Sequence, residues 1–167
     1  NTSGLNDQAM TSHQPRVLHV LDHSLPLHSG YTFRTRAILK AQGALGLDVR
    51  GITGQRHNIE PGSNGGIESP QVADGLTFYR TPGAPSGPPL ITEFAKIRAL
   101  AGAIRRLATE WRPDILHAHS PALSGAAALM AGRALGLPVV YEIRAFWEDA
   151  AVGNRTGREA SAKYRAT

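Results

Sequence analysis

Five short runs of strand-forming residues alternate with helical stretches along this chain, and that alternation limits its fold more than any other feature. The runs are Arg16–Leu21, Asp48–Thr53, Leu76–Arg80, the stretch Ile115–His119 and Val139–Arg144. Tyr31 to about Gln42 reads as a helix closed by Gly43 and Gly46. A second helix ends at Arg112-Pro113, where Phe94, Ile97, Ala101, Ile104, Ala108 and Trp111 step by three and four onto one face. A third is predicted from Ser120 as N-cap and Pro121 as first helical residue to Gly136. Strands joined by crossover helices lie parallel and cross over right-handed. The pattern therefore predicts an α/β fold, a Rossmann-like three-layer α/β/α arrangement with a parallel sheet in the order 3-2-1-4-5. Glycine- and proline-rich stretches around 60–66 and 81–89 read as loops.

The 167 residues suffice for one domain with a real core, expected over residues 16–167. Residues 1–15 are polar and unpatterned and are expected to form a disordered tail, with Met10 a candidate start. Without a cysteine, disulfides and thiolate metal sites are excluded. The longest small-apolar stretch, 122–132, is far short of the roughly 20 residues of a membrane span, and no basic-then-apolar leader opens the sequence. The charge of +5 rests on 15 arginines and 3 lysines, dispersed along the chain. Aromatics make up only 6%, so there is no platform on which bases would stack, and nucleic acid is not an expected partner. A solvated arginine-rich surface, or attraction to anionic headgroups, remains.

In open parallel sheets, ligands bind beyond the carboxyl ends of the strands. Three strands here switch from apolar to ionisable residues at that end. The first runs into Asp22 and His23, the fourth carries His117 and His119, and the fifth carries Glu142 and Arg144. The histidines are two apart, so they share a face. Three readings of them stand side by side. His117 is packed and His119 an exposed polar end; or both ligate zinc or a similar ion; or His119 alone meets a substrate near neutral pH. Glu142 and Arg144 form a local ion pair or bind an anion or hydroxyl-rich ligand. Ser29-Gly30 opens the first helix, as an ordinary cap or as a phosphate contact at the positive end of the helix dipole. With one glycine there, a G-x-G-x-x-G dinucleotide site is not expected. Asp-x-Asp and Gly-x-Ser-x-Gly are absent.

Several strings are long and unusual: His19-Val20-Leu21-Asp22-His23-Ser24-Leu25-Pro26-Leu27-His28-Ser29-Gly30-Tyr31-Thr32-Phe33-Arg34, Asp74-Gly75-Leu76-Thr77-Phe78-Tyr79-Arg80-Thr81-Pro82, the segment from Arg112 to Pro121, and that from Val139 to Val152. Through them the chain, from Arg16 onward, resembles the N-terminal domain of family 4 retaining glycosyltransferases of GT-B fold. It is most similar to the exosortase (PEP-CTERM) system-associated bacterial subgroup.

The resemblance implies a two-domain, metal-independent hexosyltransferase. Such an enzyme moves a sugar from a nucleotide-sugar, as co-substrate and without a cofactor, to a carbohydrate or lipid-linked hydroxyl acceptor in exopolysaccharide or glycoconjugate synthesis. This chain would be its acceptor side, inactive without the C-terminal donor domain. The resemblance further implies that His119 lies beside the transferred sugar and Ser29-Gly30 against the donor phosphates, a Ser standing where the family usually has Gly. Asp22, His23, Glu142 and Arg144 would form the rim. It implies a cytoplasmic protein with peripheral contact at the inner membrane face. The exposed cleft makes a homodimer, or swapping of the segment after Arg144, a further expectation. The other readings are a metal-dependent hydrolase using His117 and His119, and a non-catalytic carbohydrate-binding module.

Overall fold

The computed structural model describes residues 13–59, 70–83 and 87–144. The 60–66 loop, the residues after Arg144 and most of the predicted tail lie outside the described residues. His13 to Pro15 are described, and the backbone carbonyl of Pro15 accepts from Asp48 N–H at 2.9 Å.

Six strands form one sheet: β1 (Arg16–Leu21), β2 (Asp48–Thr53), β3 (Gln71–Ala73), β4 (Leu76–Arg80), β5 (Ile115–His119) and β6 (Val139–Glu142). Their order is β3-β4-β2-β1-β5-β6. The five expected strands take the expected 3-2-1-4-5 order, all parallel. The addition is β3, an antiparallel edge strand on β4. It is made by Asp74-Gly75, both at positive φ (51° and 72°), the conformation that a tight hairpin turn demands. An Asp-Gly pair before a strand is the signal that reveals such a hairpin in a sequence.

Helix α1 (Gly30–Ala44) covers one face of the sheet, where Leu21, Leu25, Leu39, Leu76 and Phe78 pack together. Helices α2 (Pro89–Trp111) and α3 (Ala122–Leu135) cover the other, over a larger core that includes Leu18, Val20, Ile52, Ile104, Leu107 and Leu116. The alternation of β1 explains both cores, because Leu18 and Val20 point to one layer and His19 and Leu21 to the other. No helix among the described residues is long and apolar enough to cross a membrane.

Three local expectations are corrected. Phe94 is 55% exposed, not buried, because the buried face of α2 begins only at Leu100. Ser120 does not cap α3; Pro121 holds that position with no side-chain cap bond. Ser120 N–H still donates to Glu142 O at 3.0 Å, which extends the β5–β6 ladder, and its hydroxyl accepts from Arg144 N–H at 3.1 Å. The last strand ends at Glu142, two residues early, because that bond and the side chain of Arg144 draw the chain off the sheet toward α1.

Two helical glycines give opposite expectations. A Cβ on Gly132 would stand 2.5 Å from Val139 Cγ2 and 3.0 Å from the Leu137 carbonyl, whereas one on Gly102 meets nothing within 4 Å. Gly132→Ala is expected to destabilise by about 1–3 kcal/mol through overpacking. Gly102→Ala should stabilise by about 0.5–1 kcal/mol through lower chain entropy. Urea denaturation midpoints moving in the same direction for both would refute this account of α3 packing.

Candidate functional site

The carboxyl ends of β1, β5 and β6 bring polar groups together beneath the N-terminal half of α1. Parallel pairing sets His19 of β1 beside His117 of β5 and His119 beside Glu142 of β6. Three imidazoles therefore share the α1 face, with ring centroids 4.3 Å apart for His117 and His119, 4.8 Å for His19 and His117, and 5.2 Å for His19 and His119. His119 is fully buried and His117 only partly so, the reverse of the order in which His117 is packed and His119 exposed. The strand end is not the edge of the protein here, because Arg144 folds over it.

Arg144 is the hub of this cluster. Its Nη2 lies 2.6 Å from His119 Nδ1, and its Nη1 donates to Thr35 Oγ1 at 2.7 Å and to the Tyr31 carbonyl at 3.1 Å. The guanidinium carbon stands 4.6 Å from the centroid of the Tyr31 ring, a favourable cation–π placement. Glu142 accepts from Arg34 Nη2 at 2.8 Å, and its Oε1 is 3.4 Å from Arg144 Nε. The Glu142–Arg144 pair expected on one face is thus part of a larger set, with Glu142 Oε2 also 3.0 Å from His119 Nδ1 and 3.4 Å from His117 Nε2. His19 Nδ1 meets His119 Nε2 at 2.8 Å, and its Nε2 meets Gln42 Oε1 at 2.8 Å.

Asp22 and His23 form a second group. Asp22 Oδ2 lies 3.0 Å from His23 Nδ1 and 3.6 Å from Arg56 Nη1. His23 Nε2 meets Ser29 Oγ at 2.9 Å. Ser29 is the N-cap of α1, its hydroxyl accepting from Thr32 N–H at 3.1 Å. Above Gly30 the space is open, with no atom within 4 Å of where a Cβ would stand. A cavity of about 310 Å³ at this helix start is lined by His23, Leu27, His28, Ser29 and Arg56. Another of about 350 Å³ lies on the α2/α3 side of the rim, with Asp22, Arg56, Lys96, Ile97, Leu123 and Ser124 among its walls. Arg56 borders both. Neither is lined by His119, Glu142 or Arg144, so the expected rim residues fall into two sets, one facing the cavities and one roofed by Arg144.

The loop between β1 and α1 is held from below by Arg80, a fully buried arginine at the end of β4. Its guanidinium donates to Ser24 Oγ and to the Leu25 carbonyl, each at 2.6 Å, and to Gln71 Oε1 at 2.5 Å. Burial lowers its pKa to about 10, which leaves it charged. Sequence reasoning missed Arg80, Gln42 and His19. A histidine amid Val17-Leu18-His19-Val20-Leu21 was a usable signal, since a polar residue within a buried strand needs a partner. For Gln42, a polar residue on a helix surface, there was none.

The ligating nitrogens of His19, His117 and His119 lie within 4.8 Å of one another, which gives the metal reading a third imidazole. The hydrogen bonding argues against it. An ion would have to break the His19–His119 bond and sit beside a guanidinium 2.6 Å from His119, and Coulomb repulsion at such range in a dry site is strong.

A family model described as "Glycosyl transferase 4-like domain" matches residues 29–166. No curated protein matches the sequence. Among solved structures, sucrose-phosphate synthase from Thermosynechococcus elongatus is similar at TM-score 0.60 and 14% identity, over 90% of this chain and 37% of its own. MurG from Acinetobacter baumannii gives 0.51 and 15%, over 83% and 38%. The C-terminal domain of the PF1911 hydrogenase from Pyrococcus furiosus gives 0.51 and 13%, over 77% and 90%. At such identities the likeness is one of fold, and a fold does not itself set an activity. The chain spans just over a third of the synthase and of MurG.

The buried imidazoles make stability depend on pH. Burial lowers His19 to about 3 against the usual 6.5, although the Gln42 bond pulls the other way. Burial and the Arg80 guanidinium lower His57 to about 4. Burial and the Arg144 guanidinium hold His119 far below the usual imidazole range. Unfolded histidines take up protons as pH falls through 6.5 and these folded ones do not, so stability falls as pH drops from about 6.5 toward 4. The loss approaches about 1.4 kcal/mol per pH unit for each such histidine. Denaturation midpoints should be lower at about pH 5 than at about pH 7.5; equal midpoints would mean that these rings titrate normally.

Proposed function

The chain belongs to the glycosyl transferase 4-like domain family, and from that membership we propose that it is the acceptor-side, N-terminal domain of a metal-independent, retaining hexosyltransferase. The complete enzyme would move a sugar from a nucleotide-sugar to a hydroxyl acceptor. A second, C-terminal domain would complete the GT-B pair and hold most of the donor. One observation carries the reading: the buried His119, roofed by Arg144, stands at the end of β5, next to β1, whose end leads into the capped N-terminus of α1.

The chemistry suits those groups. Breaking a sugar–phosphate bond leaves negative charge on the departing phosphate and positive charge on the sugar. Preoriented donors near the phosphate lower that barrier without reorganising. The helix start at Ser29-Gly30, open above Gly30, offers backbone N–H groups and the positive end of a dipole, so the departing phosphate has a partner without a metal ion. Arg34 and Arg144 add fixed positive charge, and Glu142 keeps both in place. His119 would orient a hydroxyl of the transferred sugar. The cavity beside Asp22, with apolar walls at Ile97 and Leu123 and a cation at Lys96, would take the acceptor.

The closer likeness to exosortase-associated enzymes supports a place in exopolysaccharide or glycoconjugate assembly, in the cytoplasm at the inner membrane face. Leu90, Ile91 and Phe94 are 87%, 64% and 55% exposed at the start of α2, with the Arg98 guanidinium 5.8 Å from the Phe94 ring centroid. Apolar side chains next to a cation suit an anionic lipid surface. Co-sedimentation with anionic vesicles is expected, weakened by Phe94→Ser and absent with zwitterionic vesicles; equal binding to both would remove the electrostatic part.

In the complete enzyme, His119→Ala is expected to lower kcat about 100-fold, the scale of losing one preoriented polar contact, in a variant that still folds although with a lower Tm, because His19 and Arg144 lose a buried partner. Near-normal turnover would take His119 out of the mechanism. The 167-residue chain alone should transfer no sugar, and measurable turnover from it would overturn its assignment as half an enzyme.

A further inference from the structure

We propose that Arg144, His19 and Gln42 fix the tautomer of His119, with its ring proton on Nε2, so that Nδ1 meets a substrate hydroxyl only as a hydrogen-bond acceptor. The tautomer rests on geometry alone, and only its meaning for the sugar depends on the function proposed above.

Four groups lie in series: Arg144 Nη2 to His119 Nδ1 at 2.6 Å, His119 Nε2 to His19 Nδ1 at 2.8 Å, and His19 Nε2 to Gln42 Oε1 at 2.8 Å. A guanidinium has no acceptor, so its bond to His119 requires a lone pair on Nδ1. An imidazole with one proton then carries it on Nε2 and donates to His19 Nδ1. His19 in turn carries its own proton on Nε2 and donates to the side-chain carbonyl of Gln42. Each ring nitrogen in the series is satisfied, and the direction of every bond follows from the first.

The opposite direction is consistent along the middle of the series but fails at its ends. It needs a proton on His119 Nδ1 facing the Arg144 N–H at 2.6 Å, and it needs Gln42 turned to present its amide protons. Its one attraction is Glu142 Oε2, 3.0 Å from His119 Nδ1. That carboxylate accepts from Arg34 through its other oxygen, Oε1, at 2.8 Å, and Arg144 Nη2, at 2.6 Å, is the nearer partner of Nδ1. A doubly protonated His119 fares no better, since its Nδ1–H would face the Arg144 N–H at 2.6 Å. Full burial of His19 and His119 removes water as an alternative partner and makes an unmatched ring nitrogen expensive.

This has a consequence for specificity. With Nε2 committed to His19, a substrate can reach His119 only by taking the place of Arg144 at Nδ1, and it must bring a donor. A sugar hydroxyl does so, whereas an O-methyl or fluoro substituent at that position does not. An analogue that displaced Arg144 without bringing a donor would leave the buried Nδ1 unpaired, and a site of that kind rejects such analogues far more strongly than an apolar pocket rejects a missing methylene. His19 and Gln42 are positioning residues in this scheme, acting through His119 and not on the substrate.

The test is a long-range ¹H–¹⁵N correlation spectrum of the uniformly ¹⁵N-labelled chain at neutral pH, which distinguishes protonated from bare ring nitrogens. His19 and His119 should both show a protonated Nε2 and a bare Nδ1. A proton on His119 Nδ1, or an imidazolium at either residue, would overturn the proposal. Arg144→Met removes the group that sets the direction, and His119 should then gain a population protonated at Nδ1, facing Glu142; an unchanged tautomer in a folded variant would show that Arg144 does not set it. Gln42→Glu keeps an acceptor at the far end and should leave His119 unchanged, and a reversed tautomer there would equally refute the relay. None of these readouts uses a sugar, so an altered tautomer and a failed transfer assay are separate results.

Discussion

The parallel pairing of β1 with β5 is the contact on which the site depends. It places His19 opposite His117, with His119 one turn of the pleat further along, on the face that α1 covers. Every other polar group in the cluster answers a need created there. Gln42 reaches down from α1 to the buried His19, and Arg144 leaves the sheet to bond His119 and lock into Thr35 and the Tyr31 carbonyl. A slip of one residue in β5 would turn both of its histidines into the α2/α3 core. There, Leu116 and Ala118 now pack against α2 and α3, and the imidazoles would find no partner.

The two faces of the sheet divide the labour. On the α2/α3 side, apolar residues form the larger core, and close approach is set by small ones such as Gly132 against Val139. On the α1 side, a smaller apolar cluster draws on β2, β4 and Leu21 of β1, and the ground over His19 of β1 and over β5 is polar. Burying polar groups stabilises little on balance, since each bond made replaces one to water. Its product is fixed geometry. A guanidinium held by a hydroxyl, a carbonyl and a carboxylate, and stacked on a tyrosine, has few ways to move until a substrate donor takes over its bond to His119. That rigidity is what an electrostatic site requires if it is not to reorganise during reaction.

The layout of the sheet was legible because its signals are local. Five runs of β-formers and a three-four periodicity in α2 suffice to order five strands, with the chirality of the crossovers supplying the rest. Ser120, Phe94 and the end of β6 were misjudged because their states depend on distant partners. Ser120 is claimed by β6 before it can cap α3, and Phe94 lies on a part of α2 that the sheet does not underlie. The rim residues were readable as ionisable groups at strand ends, but their grouping was not. Asp22 and His23 join Ser29 and the cavities, whereas Glu142 and Arg144 join His119. His19 could have been found by asking what a histidine does inside a buried strand. Gln42, some six helical turns of sequence from any motif residue that needs it, could not.

On the function proposed above, the division of the rim also bears on why the donor side would need a second domain. The described residues already supply a fixed cation cluster, a helix start with open space above it and a cavity beside Asp22. What they lack is a wall facing these groups from across the rim. With the Arg56 side chain 61% exposed at the edge of open cavities, its charge is screened by solvent, and a phosphate there would gain little from it. A second domain closing over the rim would exclude that water and strengthen every interaction already built into this half. The preorganised groups would thus act at full strength only on closure, so the separation of acceptor and donor sides itself would guard a reactive sugar from water.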